Sequence, residues 1–179
     1  MAKYVALLRA INVGGHSIIK MSDLRELCTT LGLQNISTYI QTGNIIFESE
    51  LSSTDLKQLL EDKLTDQLDY KIVAFIKTPK QLRAIVDNNP FSGKELGEDY
   101  KRYVTFLAGE LTDSAGQLLA ERSDDYVTYH PGVQIIYTSL RKDSPKPVFD
   151  NHLVEKIIGH DATTRNWQVV QKLAELATI

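Results

Sequence analysis

The chain has a single cysteine among 179 residues, which excludes an intrachain disulfide framework and fits a reducing compartment. It has no basic excess. Twenty Lys and Arg against 23 Asp and Glu give a formal net charge of -3, so no global attraction draws it to nucleic acid, and any polyanion must be met locally. Long apolar runs are missing too. The N-terminus offers Lys3 and then a short apolar run that Arg9 interrupts, too short and too polar for a signal or membrane segment. A soluble cytoplasmic protein without a membrane partner is expected.

Several chemistries lack their residues. His16, His130, His152 and His160 are scattered, with neither Cys/His nor His-x-x-x-His spacing, so no metal site is expected. There is no Gly-x-Ser-x-Gly element, and neither the Gly-x-x-x-x-Gly-Lys-Ser/Thr nor the Gly-x-Gly-x-x-Gly phosphate spacing occurs. No pattern specifies a reaction or a cofactor. The acidic runs Glu61-Asp62 and Glu98-Asp99 read as solvated surface.

What is present is enough apolar content, 42% of residues, to bury the core of one large or two small domains. Apolar runs and alternation predict strands at 3–11, 37–41, 44–48 and 71–77. Helices fill the gaps. Leu24, Leu27, Cys28 and Leu31 form one buried face of a helix over 22–31 behind an N-cap at Ser22, which makes Cys28 a core residue. A leucine stripe marks a second helix over 54–68, and Thr78-Pro79 with Gln81 reads as the capping box of a third.

The Thr42-Gly43 pair between two strands reads as a two-residue hairpin loop. That decides the topology. A doubly wound parallel sheet needs a long crossover at this point, so the order strand, helix, strand, strand, helix, strand reads instead as a ferredoxin-like split β-α-β unit. After the turn-rich segment at 88–93 the pattern restarts, with strands at 103–108, 126–129 and 133–138 and a helix over 112–121. The two hairpins share a turn glycine and an Ile-Ile-aromatic exit, at Ile45-Ile46-Phe47 and Ile135-Ile136-Tyr137.

We therefore expect an α+β protein of two ferredoxin-like (α/β plait) subdomains, residues 1–90 and 91–179. Helices over 151–158 and 164–177 close the chain, so the second unit lacks its last strand and is incomplete or rearranged. In the first strand, Val5, Leu7, Arg9 and Ile11 share one face while Ala6, Leu8 and Ala10 share the other. Helices cover one face of such a sheet. The second apolar face is expected to pack on the other half or on a partner chain, with a ligand cleft between the halves.

Two segments hold the candidate site residues. Arg9 on an apolar strand must reach a carboxylate, a carbonyl or an anion. Asn12, Gly14, Gly15, His16 and Lys20 follow it and are able to cradle an anion through backbone N–H groups. At the far end, Arg165 reads as lying in the first turn of the last helix, where it opposes the helix dipole unless an anion binds there. Asn166 adjoins it, and Trp167 reads as an anchor to the core. Arg141, Lys142 and Lys146 read as solvated loop charge.

Five segments together resemble one family: Leu7-Leu8-Arg9-Ala10-Ile11-Asn12-Val13-Gly14-Gly15, Met21-Ser22-Asp23-Leu24-Arg25, Thr38 through Phe47, Asn89-Pro90-Phe91 and Thr164-Arg165-Asn166-Trp167. It is the bacterial family catalogued as domain of unknown function 1697. The resemblance runs from the first strand to the last helix. Ala10 stands where the family commonly has glycine and Thr42 where it has serine, and Ala10 argues that the strand end itself is not a ligand contact. The resemblance implies two α/β plait subdomains and no assigned activity or catalytic residue.

Three functions compete. The first is binding of an anionic, phosphorylated or carboxylated, small molecule by Arg9, Asn12, Gly14, Gly15, Gln41, Asn44, Arg165 and Asn166. The second is an interaction protein that forms a homodimer through its apolar sheet face. The third is a single-stranded RNA module, against which stand aliphatic inner strands without stacking aromatics. The first is preferred.

Overall fold

The computed structural model describes residues 1–9, 11–12, 18–145 and 151–178. The chain divides into two compact units, one comprising 1–87 with 171–179 and the other 88–170.

The first unit runs β1 (Ala2–Arg9), α1 (Met21–Thr30), β2 (Gln34–Tyr39), β3 (Asn44–Ser49), α2 (Ser53–Leu68), β4 (Val73–Lys77) and α3 (Pro79–Asp87). Its sheet order is β2-β3-β1-β4, antiparallel throughout. This is the ferredoxin-like arrangement expected from the sequence. The hairpin loop is longer than two residues, because β2 ends where Tyr39 pairs with Asn44. Ile40 (φ 52°) and Gly43 (φ 73°) supply the left-handed backbone that turns it.

Three helix starts show how local chemistry sets the boundaries. The Ser52 hydroxyl accepts the Asp55 N–H at 3.2 Å at the start of α2. Thr78 and Gln81 form the expected capping box, with Thr78 N–H donating to Gln81 Oε1 at 2.8 Å and Gln81 N–H to Thr78 Oγ1 at 3.2 Å. Ser22 is not the cap of α1. Lys20 occupies that position without a side-chain bond, and the Ser22 hydroxyl donates to Asp23 instead.

The helix-covered face of this sheet carries Ala6, Leu8, Ile45, Phe47 and Ala74, packed on Leu24 and Cys28 of α1 and on Leu56, Leu60 and Leu64 of α2. Ile11 belongs to this cluster and not to the face of Val5 and Leu7. The alternation ends with β1 at Arg9, so strand parity no longer fixes the side of residue 11. On the opposite face Val5, Leu7, Ile46 and Phe75 are at most 6% exposed in the single chain. The face is therefore not an open apolar surface.

The second unit repeats the order with β5 (Tyr100–Leu107), α4 (Asp113–Ala120), β6 (Val127–Pro131), β7 (Ile135–Arg141), α5 (Asn151–Ile158) and β8 (Ala162–Asn166), followed by α6 (Trp167–Leu176). The sheet order is β6-β7-β5-β8, again antiparallel. The unit is complete: β8 is the strand the sequence reading left out. It pairs with β5 from Tyr103↔Asn166 to Leu107↔Ala162, and the Thr105 and Thr164 hydroxyls bond across it at 2.8 Å. Among the described residues no helix is long and apolar enough to cross a membrane.

Candidate functional site

A concavity of the second unit lies where β5 outruns β8. Strand β8 stops at Asn166, opposite Tyr103, while β5 continues back through Arg102, Lys101 and Tyr100. The step leaves a pocket of about 460 Å³ lined by Leu96, Gly97, Glu98, those β5 residues, Lys142, Asn166, Trp167 and Gln168, a volume within the usual range for small-molecule sites. Lys101, Arg102 and Lys142 bring three cations to it. None of them makes an ion pair among the described residues, and neither does Glu98, which is exposed.

Asn166 to Gln168 also form the start of α6, whose first turn carries no acidic residue. The unsatisfied N–H groups and positive dipole end of a helix start favour negative charge. Arg141, the neighbour of Lys142, takes no part. Its guanidinium grips Asp143 through Nε at 3.0 Å and Nη2 at 2.6 Å and lies over the Tyr126 ring at 4.8 Å.

One wall of the pocket is held by a buried carboxylate. Glu95, in the short 3-10 turn Gly93–Leu96, is 7% exposed. Its Oε1 accepts from Ser139 Oγ at 2.6 Å and lies 2.8 Å from His130 Nε2, while its Oε2 accepts the Ser92 N–H at 3.3 Å. Burial by itself pushes this carboxyl up. The hydrogen bonds from His130, Ser139 and Ser92 outweigh that effect and hold it below the usual carboxylate range. An aromatic cluster adjoins it, with the Phe91 ring edge-on to His130, Tyr137 and Trp167 at 5.5–6.0 Å.

The residues singled out from the sequence fare differently. Asn166 lines the pocket. Arg165 does not begin a helix. It sits in β8 opposite Val104, 7% exposed, donating through Nη1 to Thr163 Oγ1 at 2.8 Å and to the Thr164 carbonyl at 2.9 Å. Burial pushes its guanidinium down to about 10. The supposed clash with a helix dipole therefore disappears.

Arg9 is half-buried at the end of β1, in register with Val73. Asn12 and Gln41 come together beside Lys20 in a concavity of about 390 Å³, but the Asn12 side chain is committed to the backbone. Its Nδ2 donates to the Ile19 and Gln41 carbonyls at 3.1 and 2.9 Å, and its Oδ1 accepts the Ile19 N–H at 2.8 Å. Asn44 is fully buried and donates to the Tyr39 carbonyl and the Thr42 hydroxyl, both at 3.0 Å. Both asparagines brace loops. Ala10, Gly14, Gly15, His16 and Lys146 lie outside the described residues.

Sequence reasoning passed over Lys101 and Arg102 and took Glu98 and Lys142 for solvated charge, and all four line this pocket. The two cations precede the apolar part of β5, and Glu98 sits in a run that read as surface. Among the described residues no group of three His, Cys, Asp or Glu is placed to hold a metal ion.

Two antiparallel split β-α-β units in one chain, the second with a pocket at a strand step that three cations line, define an α+β protein of two ferredoxin-like units. The chain belongs to the family described as "Protein of unknown function (DUF1697)", whose model matches residues 1–137. The Thr164–Trp167 motif lies beyond that match. A similar solved structure is that of the conserved bacterial protein SP0830 from Streptococcus pneumoniae, 23% identical, with a TM-score of 0.78 over 100% of this chain and 99% of that one. That likeness is one of fold. Comparison with curated proteins gives no match.

Proposed function

We propose that this chain binds an anionic small molecule, phosphorylated or carboxylated, in the pocket at the start of α6. The observation that supports the reading is the presence of Lys101, Arg102 and Lys142 in the lining of one concavity, none of them in an ion pair among the described residues. Three like charges around a shared cavity repel one another, and an anion relieves that repulsion while meeting the N–H groups of the helix start. Asn166 and Gln168 add amides that fix orientation. Each role is one of binding and positioning.

Thermal shift with inorganic phosphate, citrate and phosphate monoesters tests the reading. A ligand at a hundred times its dissociation constant stabilises the folded chain by about 2.7 kcal/mol, which raises the melting temperature of a chain this size by roughly 5–10 °C. The triple variant Lys101→Gln/Arg102→Gln/Lys142→Gln is expected to abolish the shift. Unchanged melting with every anion, or an undiminished shift in the triple variant, sinks the proposal.

A further inference from the structure

We infer that the ligand of this pocket is a phosphate monoester of a polyhydroxylated compound, a sugar phosphate in class, and not a nucleotide. The inference rests on the anion-binding reading above and narrows it. Three cations against the single carboxylate of Glu98 leave two positive charges on the lining. A phosphate monoester, with its second ionisation near pH 6, carries between about -1.5 and -2 at pH 7, whereas a monocarboxylate carries half of that or little more. The charge of the pocket matches the phosphate.

Glu98 supplies the second half of the argument. A carboxylate in an anion site opposes a bare anion, and an ionised carboxylate only accepts hydrogen bonds. It is complementary to a ligand that brings donors at its uncharged end. Vicinal hydroxyls are such donors, and the exposed amides of Asn166 and Gln168 serve further hydroxyls as donor and acceptor.

The aromatic residues argue against a base. Trp167 is 4% exposed, with its ring against Phe91 at 5.5 Å and Tyr137 at 6.3 Å, and Tyr103 is 8% exposed. Their faces are already covered by protein. Only Tyr100 offers a half-exposed ring, and one ring does not form the sandwich in which aromatic and apolar side chains hold an unstacked base.

Isothermal titration of the full chain compares inorganic phosphate, glucose 6-phosphate, ribose 5-phosphate, glycerol 3-phosphate, AMP and free glucose. At least one of the three polyol phosphates is expected to bind roughly tenfold or more tightly than both phosphate and AMP, a difference of about 1.4 kcal/mol. Glu98→Ala is expected to collapse its preference over phosphate toward one while leaving phosphate itself bound as well or better. Binding of AMP equal to or tighter than the polyol phosphates overturns the inference, as does a preference that Glu98→Ala leaves intact. Binding of phosphate with no gain from any polyol overturns it too, although the anion site stands. No binding by any phosphate compound removes the site itself.

Discussion

Ser139 and His130 both bond to the same oxygen of Glu95, Ser139 Oγ at 2.6 Å and His130 Nε2 at 2.8 Å. One carboxylate oxygen thus gathers a hydroxyl from one strand and an imidazole from the next. It is a clasp. It ties the turn that carries Glu95 to strands β6 and β7, and Leu96 and Gly97, which continue that turn, form part of the pocket wall.

The clasp has a pH signature. A carboxyl held below its unfolded value, near 4.3, contributes stability above that pH and loses it as pH falls through the folded value. Glu95→Gln should cost roughly 1–3 kcal/mol at pH 7, the loss of charge-assisted bonds in a buried place. Between about pH 5 and pH 3 the wild type should lose stability faster than the variant, because only the wild type has this proton to take up. Urea denaturation at stepped pH gives both curves. Parallel curves refute the assignment.

Asn12→Ala should destabilise the chain by roughly 2–4 kcal/mol, since it leaves the Ile19 N–H and two carbonyls without their partner and puts alanine at φ 55°. Asn12→Gly removes the backbone strain and keeps the hydrogen-bond loss. It should recover about 1 kcal/mol of the deficit. Equal stability of all three proteins in chemical denaturation would show that the brace is not needed.

Gly43→Ala faces two costs. At φ 73° a Cβ is strained, and it would lie 3.0 Å from Leu8 Cβ and 3.2 Å from Ile11 Cβ. The left-handed penalty of about 1–2 kcal/mol and overpacking of about 1–3 kcal/mol combine to a drop of several kcal/mol. Gly32→Ala is the control. It has a similar φ of 81° and open space around its Cβ, so its cost should stay near the first figure alone. Equal losses in the two variants would mean that the contacts with Leu8 and Ile11 do not matter.

Cys28 should be silent toward thiol reagents in the native state. It is fully buried, and burial pushes its thiol up to about 12, so almost no thiolate forms at neutral pH. Labelling by iodoacetamide is expected only on the timescale of unfolding, and to become fast in urea. Fast native labelling contradicts the placement.

The legible parts of this chain were those where apolar periodicity and turn chemistry agree. The leucine stripes, the Thr78-Gln81 box and a connection at 40–43 too short for a parallel crossover, though longer than the two residues expected, point to the first sheet and rule out a parallel one. Strand β8 escaped because Thr163, Thr164, Arg165 and Asn166 offer no apolar alternation and run into Trp167 without a break. Pairing with β5 makes them a strand, and pairing is nonlocal. The pocket escaped for a related reason. Lys101 and Arg102 line it because β8 ends opposite Tyr103, before reaching either of them, a property of two strands together. Asn166 was found from a helix-start argument that misplaced its neighbour Arg165.

Helix α6 has a further consequence. Its first four residues count with the second unit and the rest, through 179, with the first. On the ribosome, where chains grow at about 5–20 residues per second, the first unit therefore waits until the whole of the second has been synthesised and 171–179 follow it. Residues 1–87 leave the exit tunnel well before 171–179, the segment that completes their unit. Completion of the first unit is thus tied to synthesis of the second, and a chain stalled at 170 contains the whole of the second unit but an unfinished first.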